Sequence, residues 1–152
     1  KTYAISEILA ADKDADIALI KLKGNNFTPI PVSNYSPVGS RVTHIANPVS
    51  NFFTVTDGII SRHYYIYTGA KRDKKIDRVS ITADFAKGSS GGPILNKYGE
   101  VCAIVTTTHS VYAKKDKKGN DKGLQMVVKG CVPVKSLLKL LKKPTANKVV
   151  HK

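Results

Sequence analysis

The stretch Ala83-Asp-Phe-Ala-Lys-Gly-Ser-Ser-Gly-Gly-Pro-Ile-Leu-Asn96 places two serines between three glycines. A glycine two residues before Ser90 and two glycines after it allow a sharp turn, so that successive N–H groups can point at one spot beside the Ser90 hydroxyl. Such a spot would bind an oxyanion, provided that strands on both sides hold the turn rigidly. A Gly-rich β-turn without chemical importance would have the same pattern.

Short β-rich runs separated by turn signals lie on both sides of this stretch and predict an all-β sandwich or barrel. The predicted strands are residues 3–10, 17–22, 42–45, 52–62, 64–67, 79–84, 92–95, 101–108 and 124–128. Only the C-terminal part of the sequence has a pattern typical of a helix. Apolar residues at 134, 137, 138 and 141 share one face, Pro133 suits a first turn and Pro144 would end the helix, so we predict a helix over 132–143.

Composition and charge limit the class of protein. The chain has 152 residues, the length of one domain, and its 41% hydrophobic and 24% charged residues exclude a disordered or collagen-like chain. No apolar run approaches the roughly 20 residues of a membrane span. The net charge of +14 is concentrated in residues 71–75, 114–118 and 139–152. Because no aromatic residue is interleaved there to stack on bases, we interpret these segments first as solvated loops, and keep a nucleic-acid or anionic-surface binder as the less favoured alternative.

Two cysteines, Cys102 and Cys131, are too few for a disulfide framework, and no Cys/His spacing indicates a zinc site. A single bridge is geometrically possible. We favour two buried free thiols, because free cysteine is among the most buried residue types.

Five ordered sequence blocks resemble the trypsin-like serine endopeptidases of the chymotrypsin fold, most closely the HtrA/Deg-type bacterial branch. Gly88-Ser-Ser-Gly-Gly-Pro is similar to that family's Gly-Asn-Ser-Gly-Gly-Pro loop, and Asp14-Ala-Asp-Ile-Ala-Leu-Ile-Lys-Leu22 to its aspartate-bearing strand. Asn47-Pro, Thr54-Val-Thr-Asp-Gly-Ile-Ile-Ser61 and Gly123-Leu-Gln-Met-Val-Val resemble a turn and two further strands. The blocks extend from residue 3 to residue 142.

The resemblance implies a trypsin-like double β-barrel with an incomplete N-terminal barrel and a C-terminal helix. We expect the remainder of the N-terminal barrel at 1–69, the C-terminal barrel at 76–130 and the helix at 132–143. It also implies a peptidase with a polypeptide substrate and no cofactor or metal, in which Ser90 is the nucleophile and Asp16 the acidic member of the triad. The N–H groups of Gly88 and Ser90, with Ser89 between them, would form the oxyanion hole.

The sequence departs from the family at the catalytic histidine, which should precede the aspartate in the chain. His44, His63, His109 and His151 all follow Asp16, and we expect each to be a surface or structural residue. Either the chain is the C-terminal portion of a longer enzyme, or it is a pseudo-protease that binds peptides. The non-Met start favours the first. An incomplete barrel would pair with an N-terminal segment of the same protein carrying the missing histidine, or with a neighbouring copy as a homo-oligomer. The resemblance alone suggests a secreted or periplasmic protein.

Two further elements are candidates for substrate contacts. Asp84 lies six residues before Ser90, where trypsin-type relatives place the carboxylate that binds a basic P1 side chain. The same spacing would arise if Asp84 merely faced the loop interior. Thr106, Thr107 and Thr108 would supply the edge along which an extended substrate pairs by β-addition.

Overall fold

The computed structural model describes residues 2–142, apart from the side chain of Ser50. Its strands are β1 Ile5–Asp12, β2 Ile17–Leu22, β3 Arg41–Ala46, β4 Thr54–Thr68, β5 Lys74–Ile81, β6 Pro93–Asn96, β7 Val101–Lys115 and β8 Asp121–Pro133. Six of these strands pair in a ring that closes on itself, in the order β3-β4-β5-β8-β7-β6. A 3-10 helix at Pro48–Ser50 and the helix α1 at Val134–Leu141 complete the elements of the described residues. No helix among them is long and apolar enough to cross a membrane.

The interior of the ring is filled by side chains that alternate with exposed ones along each strand, as expected of a sheet with one buried face. On β4, Ile60 is 1% exposed and the preceding Ile59 is 39% exposed. The buried cluster comprises Val42, Ile60, Val79, Ile81, Ala83, Phe85, Ile94, Cys102, Ala103, Val105 and Cys131. All strand pairs of the ring are antiparallel.

The strands β1 and β2 form a separate, two-stranded antiparallel sheet. Three of its four isoleucines are exposed: Ile5 by 60%, Ile8 by 55% and Ile20 by 42%. One closed ring of strands, a separate two-stranded sheet and the helix α1 confirm the expected trypsin-like, all-β fold.

The predicted boundary between the two barrels at residue 69 is wrong. β3 and β4 belong to the closed ring, because β3 pairs with β6 and β4 pairs with β5. The closed ring therefore spans 41–133 rather than 76–130, and only β1 and β2 lie outside it among the described strands.

Several element limits also differ from the prediction. β4 is continuous through His63, where the prediction had two strands. β7 continues to Lys115, beyond its predicted end at 108, and β8 begins at Asp121, before its predicted start at 124. The helix begins at Val134 rather than at 132, because Val132 and Pro133 still pair with β7. Its predicted end at 143 lies outside the described residues.

The two cysteines are free and buried, which confirms the interpretation favoured above. The Cys102 thiol donates to the carbonyl of Ile94 at 3.3 Å. Burial raises the pKa of Cys102, and raises the pKa of Cys131 to about 12. Both thiols are therefore inert packing residues at neutral pH.

We predict that Ile60→Ala lowers the free energy of unfolding by about 2–5 kcal/mol, because truncation leaves a cavity inside the ring. The control is Ile59→Ala on the same strand, whose side chain already contacts solvent, and we expect it to cost about 1 kcal/mol or less. Urea denaturation followed by circular dichroism measures both. Equal losses for the two variants would contradict the assigned strand facing.

Candidate active site

Ser90 lies in the turn that connects β5 to β6, outside any strand or helix, and its side chain is exposed. The turn depends on its glycines. Gly88 has φ +96° and Gly91 has φ +82°, values at which a side chain is strained. At Gly88 an added Cβ would also lie 2.9 Å from the carbonyl oxygen of Asn47. The glycine pattern therefore does produce a tight turn at Ser90.

Hydrogen bonds inside this turn decide which N–H groups remain available. The N–H of Ser89 donates to the carbonyl of Ala86 at 3.0 Å, and that of Gly92 donates to the carbonyl of Ser89 at 2.9 Å. Ser89 is itself 1% exposed. The hydrogen bond to Ala86 uses the only N–H of Ser89 and therefore argues against the expected place of Ser89 in the oxyanion hole. Within residues 2–142, no hydrogen bond occupies the N–H of Gly88 or of Ser90.

Two adjacent residues of β7, Val105 and Thr106, hold the Ser90 turn and Asp16. Gly91 donates to the carbonyl of Val105 at 2.9 Å, and the N–H of Val105 donates to the carbonyl of Gly92 at 3.0 Å. The hydroxyl of the next residue, Thr106, donates to the Asp16 carboxylate. The structure thus attaches the two predicted catalytic residues, which are 74 positions apart in sequence, to consecutive residues of one strand.

The Thr106 hydroxyl donates to Asp16, and this side-chain contact leaves the backbone edge of Thr106 as a candidate for pairing with a substrate. Thr107 and Thr108 are exposed and remain candidates for substrate contact.

Asp16 ends the β1–β2 turn with φ +60°, in a region that aspartate tolerates better than most residues. Within the turn, the Asp12 carboxylate accepts the N–H of Ala15 at 2.9 Å. Aspartate commonly forms turns in this way, by accepting a nearby backbone N–H.

The barrel holds the same turn through Asp14. The Lys74 ammonium donates to the Asp14 carboxylate at 2.6 Å, and this hydrogen bond lowers the pKa of Asp14. The buried Arg78 guanidinium donates to the Asp14 carbonyl at 3.3 Å. Two cations of β5 therefore fix the turn that carries Asp16.

His44 has a structural place directly under the Ser90 turn. It is 2% exposed, its Nδ1 lies 3.1 Å from the carbonyl oxygen of Pro93, and its ring packs edge-on against Phe85. An added Cβ on Gly92 would lie 2.8 Å from its Cε1, so this close approach requires glycine. Alternation with the buried Val42 on β3 would have placed His44 in the interior from sequence alone.

The other histidines are not brought to the site. His63 bonds through Nε2 to the carbonyl of Ser36 at 2.9 Å and stacks on Tyr35. His109 is exposed on β7, opposite Val128 on β8. His151 lies outside the described residues. Among residues 2–142, no imidazole hydrogen-bonds to Asp16 or to Ser90.

A pocket of about 510 Å³ adjoins the segment that leads to Ser90. Its walls include Asp84, Phe85, Thr108, Val127 and Lys129. The Lys129 ammonium lies 2.5 Å from the Asp84 carboxylate, whose side chain is 82% exposed, whereas that of Lys129 is 11% exposed. The Asp84 carboxylate, a candidate for binding a basic P1 side chain, is therefore already paired with the ammonium of Lys129. The place of Lys129 in this pocket could not be predicted from local sequence, because only the register of β7 and β8 brings Lys129 opposite Thr108.

Comparisons with known proteins agree with this geometry. Residues 1–104, which include Asp16 and Ser90, match the family model described as a trypsin-like peptidase domain. The chain therefore belongs to the trypsin-like peptidase family. Serine protease HTRA1 of Xenopus laevis is 36% identical in an alignment of 108 positions that covers 66% of this chain and 23% of that protein. The similarity is thus to the HtrA type, and the chain spans less than a quarter of that relative.

Solved structures share the fold. The Rv3671c protease from M. tuberculosis in its active form superposes with a TM-score of 0.71 at 18% identity, covering 99% of this chain and 63% of that one. The HtrA-type protease AlgWS227A, solved with a decapeptide, gives a TM-score of 0.68 at 22% identity, covering 90% of this chain and 38% of that one.

We predict that Lys74→Met raises the pKa of Asp14 toward its ordinary value of about 4, because the ammonium that favours the carboxylate is lost. Since the folded-state pKa is the lowered one, the stabilisation is present above the unfolded pKa and is lost as pH falls through the folded pKa. Carboxyl-carbon NMR titration measures the shift. The control is Lys75→Met, whose ammonium lies over the Tyr65 ring. An unchanged Asp14 pKa in Lys74→Met would contradict the assigned pairing.

Proposed function

We propose that this chain is the serine-bearing part of a serine endopeptidase that hydrolyses peptide bonds through an acyl-serine intermediate. The observation that carries the proposal is the attachment of the Ser90 turn and of Asp16 to Val105 and Thr106. This is how two chemically different groups, distant in sequence, come to the same point of the barrel.

In this mechanism the Ser90 hydroxyl oxygen bonds to the carbonyl carbon of the substrate while its proton passes to a base. The N–H groups of Gly88 and Ser90 stabilise the oxyanion, since both are unused within the described residues. The C–N bond then breaks as the base returns the proton to the leaving amine. Water hydrolyses the acyl-serine by the same steps.

The base is a histidine on a segment of the same protein outside these 152 residues. His44 and His63 are bonded elsewhere, and His109 lies on the exposed part of β7. The carboxylate of Asp16 would orient the imidazole and stabilise its charged form. The exposed isoleucines of β1 and β2 would pack against the strands of that segment. We therefore propose that the 152-residue chain alone is inactive.

The substrate is an extended polypeptide. The edge of β7 at 106–108 would pair with its backbone, while the adjoining pocket would take the side chain before the scissile bond. The decapeptide in the AlgW structure is support from a similar fold. Lys129 already pairs with the Asp84 carboxylate. The pocket also has apolar walls, which Phe85, Ala86 and Val127 supply. We therefore propose that the P1 side chain is uncharged.

A second candidate is a pseudo-protease that binds peptides without cleaving them. The absence of an imidazole bonded to Asp16 or Ser90 in residues 2–142 favours it. It keeps the same groove and lacks only the base.

Labelling with a fluorophosphonate separates these two functions. We expect negligible labelling of the 152-residue chain, and labelling at least about a hundredfold faster once the histidine-bearing segment is present, because a general base contributes about 10²–10⁴-fold. Ser90→Ala should abolish it. The control is Ser89→Ala, which removes a buried hydroxyl that has no hydrogen-bond partner among the described residues. Closing the first barrel should also raise the melting temperature.

Two results would contradict the proposal. Peptide turnover by the 152-residue chain that Ser90→Ala abolishes would show that the base lies within it. Equal, negligible labelling of both chains, with the longer one well folded, would establish the peptide-binding module instead.

A further inference from the structure

The hairpin of β7 and β8 projects beyond the ring of strands. β7 pairs with β6 as far as Ile104, and its last contact on that side is Val105 with the Ser90 turn. From residue 106 to Lys115 it pairs only with β8 among the described residues. Ten residues of β7 therefore present one open backbone edge, about 33 Å long at 3.3 Å per residue. We name residues 109–128 the arm.

The open edge is continuous with the candidate active site. It begins at Thr106, beside Asp16 and the Ser90 turn, and continues along the arm without a break in β7. A peptide that pairs with 106–108 can therefore extend its backbone pairing outward along the arm. Unpaired N–H and C=O groups of an edge strand are a template for such addition.

The end of the arm is strongly basic. Residues 114–122 include five lysines and two aspartates. Asp116 and Asp121 lie 3.9 Å and 3.8 Å from the ammonium groups of Lys122 and Lys115. Three lysines have no carboxylate within salt-bridge distance in the part of the chain that the structure describes: Lys114, Lys117 and Lys118. Because the arm is exposed, this excess charge is available to a bound chain.

We propose that the arm binds an acidic segment of the polypeptide substrate, N-terminal to the scissile bond, as an added antiparallel strand. This inference rests on the proposed function for the position of the scissile bond. Antiparallel pairing is the more stable kind and is the kind found throughout the barrel. The substrate would then run from the arm toward Ser90. Lys114 is eight residues beyond Thr106, so the acidic residues would lie about eight positions before the scissile bond.

A polypeptide fits this surface better than a nucleic acid. No aromatic residue lies between 114 and 122 to stack on bases. An open strand edge offers alternating N–H and C=O groups, which match a peptide backbone. Nucleic acid could use only the lysines.

Fluorescence anisotropy with two labelled 12-residue peptides of identical composition tests the proposal on the 152-residue chain. One peptide carries four glutamates at its N-terminal end, and the other carries them at its C-terminal end. We expect the first to bind about tenfold or more tightly than the second. N-methylation of alternate backbone nitrogens in the first peptide should weaken binding about tenfold, because it removes hydrogen-bond donors of an added strand.

Charge-matched variants locate the effect. Lys114→Glu with Lys118→Glu should lower the affinity of the first peptide about tenfold or more. The control is Lys21→Glu with Lys97→Glu, which changes the net charge by the same amount at exposed sites on β2 and on the β6–β7 turn. We expect this control to change the affinity for the first peptide less than about twofold. Circular dichroism checks that both variants fold.

Three results would overturn the inference. Equal losses in the two double variants would indicate non-specific attraction to the net charge. Tolerance of N-methylation, with equal competition by a single-stranded oligonucleotide, would indicate a polyanion surface. Tighter binding of the peptide with C-terminal glutamates would reverse the orientation. The readout requires no hydrolysis. Arm binding, together with negligible fluorophosphonate labelling of the longer, histidine-bearing chain, would refute only the proposed enzyme. Labelling of that longer chain without arm binding would refute only this inference.

Discussion

The candidate site depends on the contacts that two consecutive residues of β7 make. Val105 pairs through its backbone with Gly91 and Gly92 on either side of the Ser90 turn, and Thr106 bonds through its hydroxyl to Asp16. A backbone pair fixes the turn whatever the side chain at 105, whereas the contact with Asp16 needs a hydroxyl at 106. A β-bulge lies at this point, between Val105 and Thr107. Bulges re-aim side chains locally, and here the bulged residue is the one that turns toward Asp16.

The support beneath the Ser90 turn is polar where most of the barrel interior is apolar. His44 bonds to the carbonyl of Pro93 and contacts Phe85, and Gly92 is the residue that permits its approach. A hydrogen bond fixes the orientation of a buried imidazole ring, whereas an aliphatic side chain at the same place would only fill the space. Above it, the N–H of Ser89 closes the turn on Ala86 and leaves those of Gly88 and Ser90 as the donors beside the hydroxyl. Rigidity below the turn and unused donors within it are the two properties that an acyl-transfer site needs.

Local features of the sequence predicted the fold well, and non-local pairings explain what it missed. Glycines around Ser90 predicted the turn, and alternating residues predicted most strands, because both signals lie within a few residues. The barrel boundary at 69 failed because closure depends on β3 meeting β6, which no local pattern encodes. Lys129 neutralises Asp84 only because the register of β7 and β8 brings it there. The contacts of the Ser89 N–H and of the Thr106 hydroxyl were not predicted for a related reason, since a serine or threonine in a motif does not reveal which neighbour these groups will contact.

The position of Asp16 does not require a complete first barrel. β1 and β2 expose apolar side chains on a small sheet, and a two-stranded sheet alone is marginally stable in water. Their turn is nevertheless tied to the second barrel by Lys74, Arg78 and Thr106, three contacts that come from β5 and β7. Asp16 is thus held by the same barrel that carries Ser90. Under the proposed function, the segment that docks on β1 and β2 has to supply the imidazole, because contacts from β5 and β7 already hold the turn that carries Asp16.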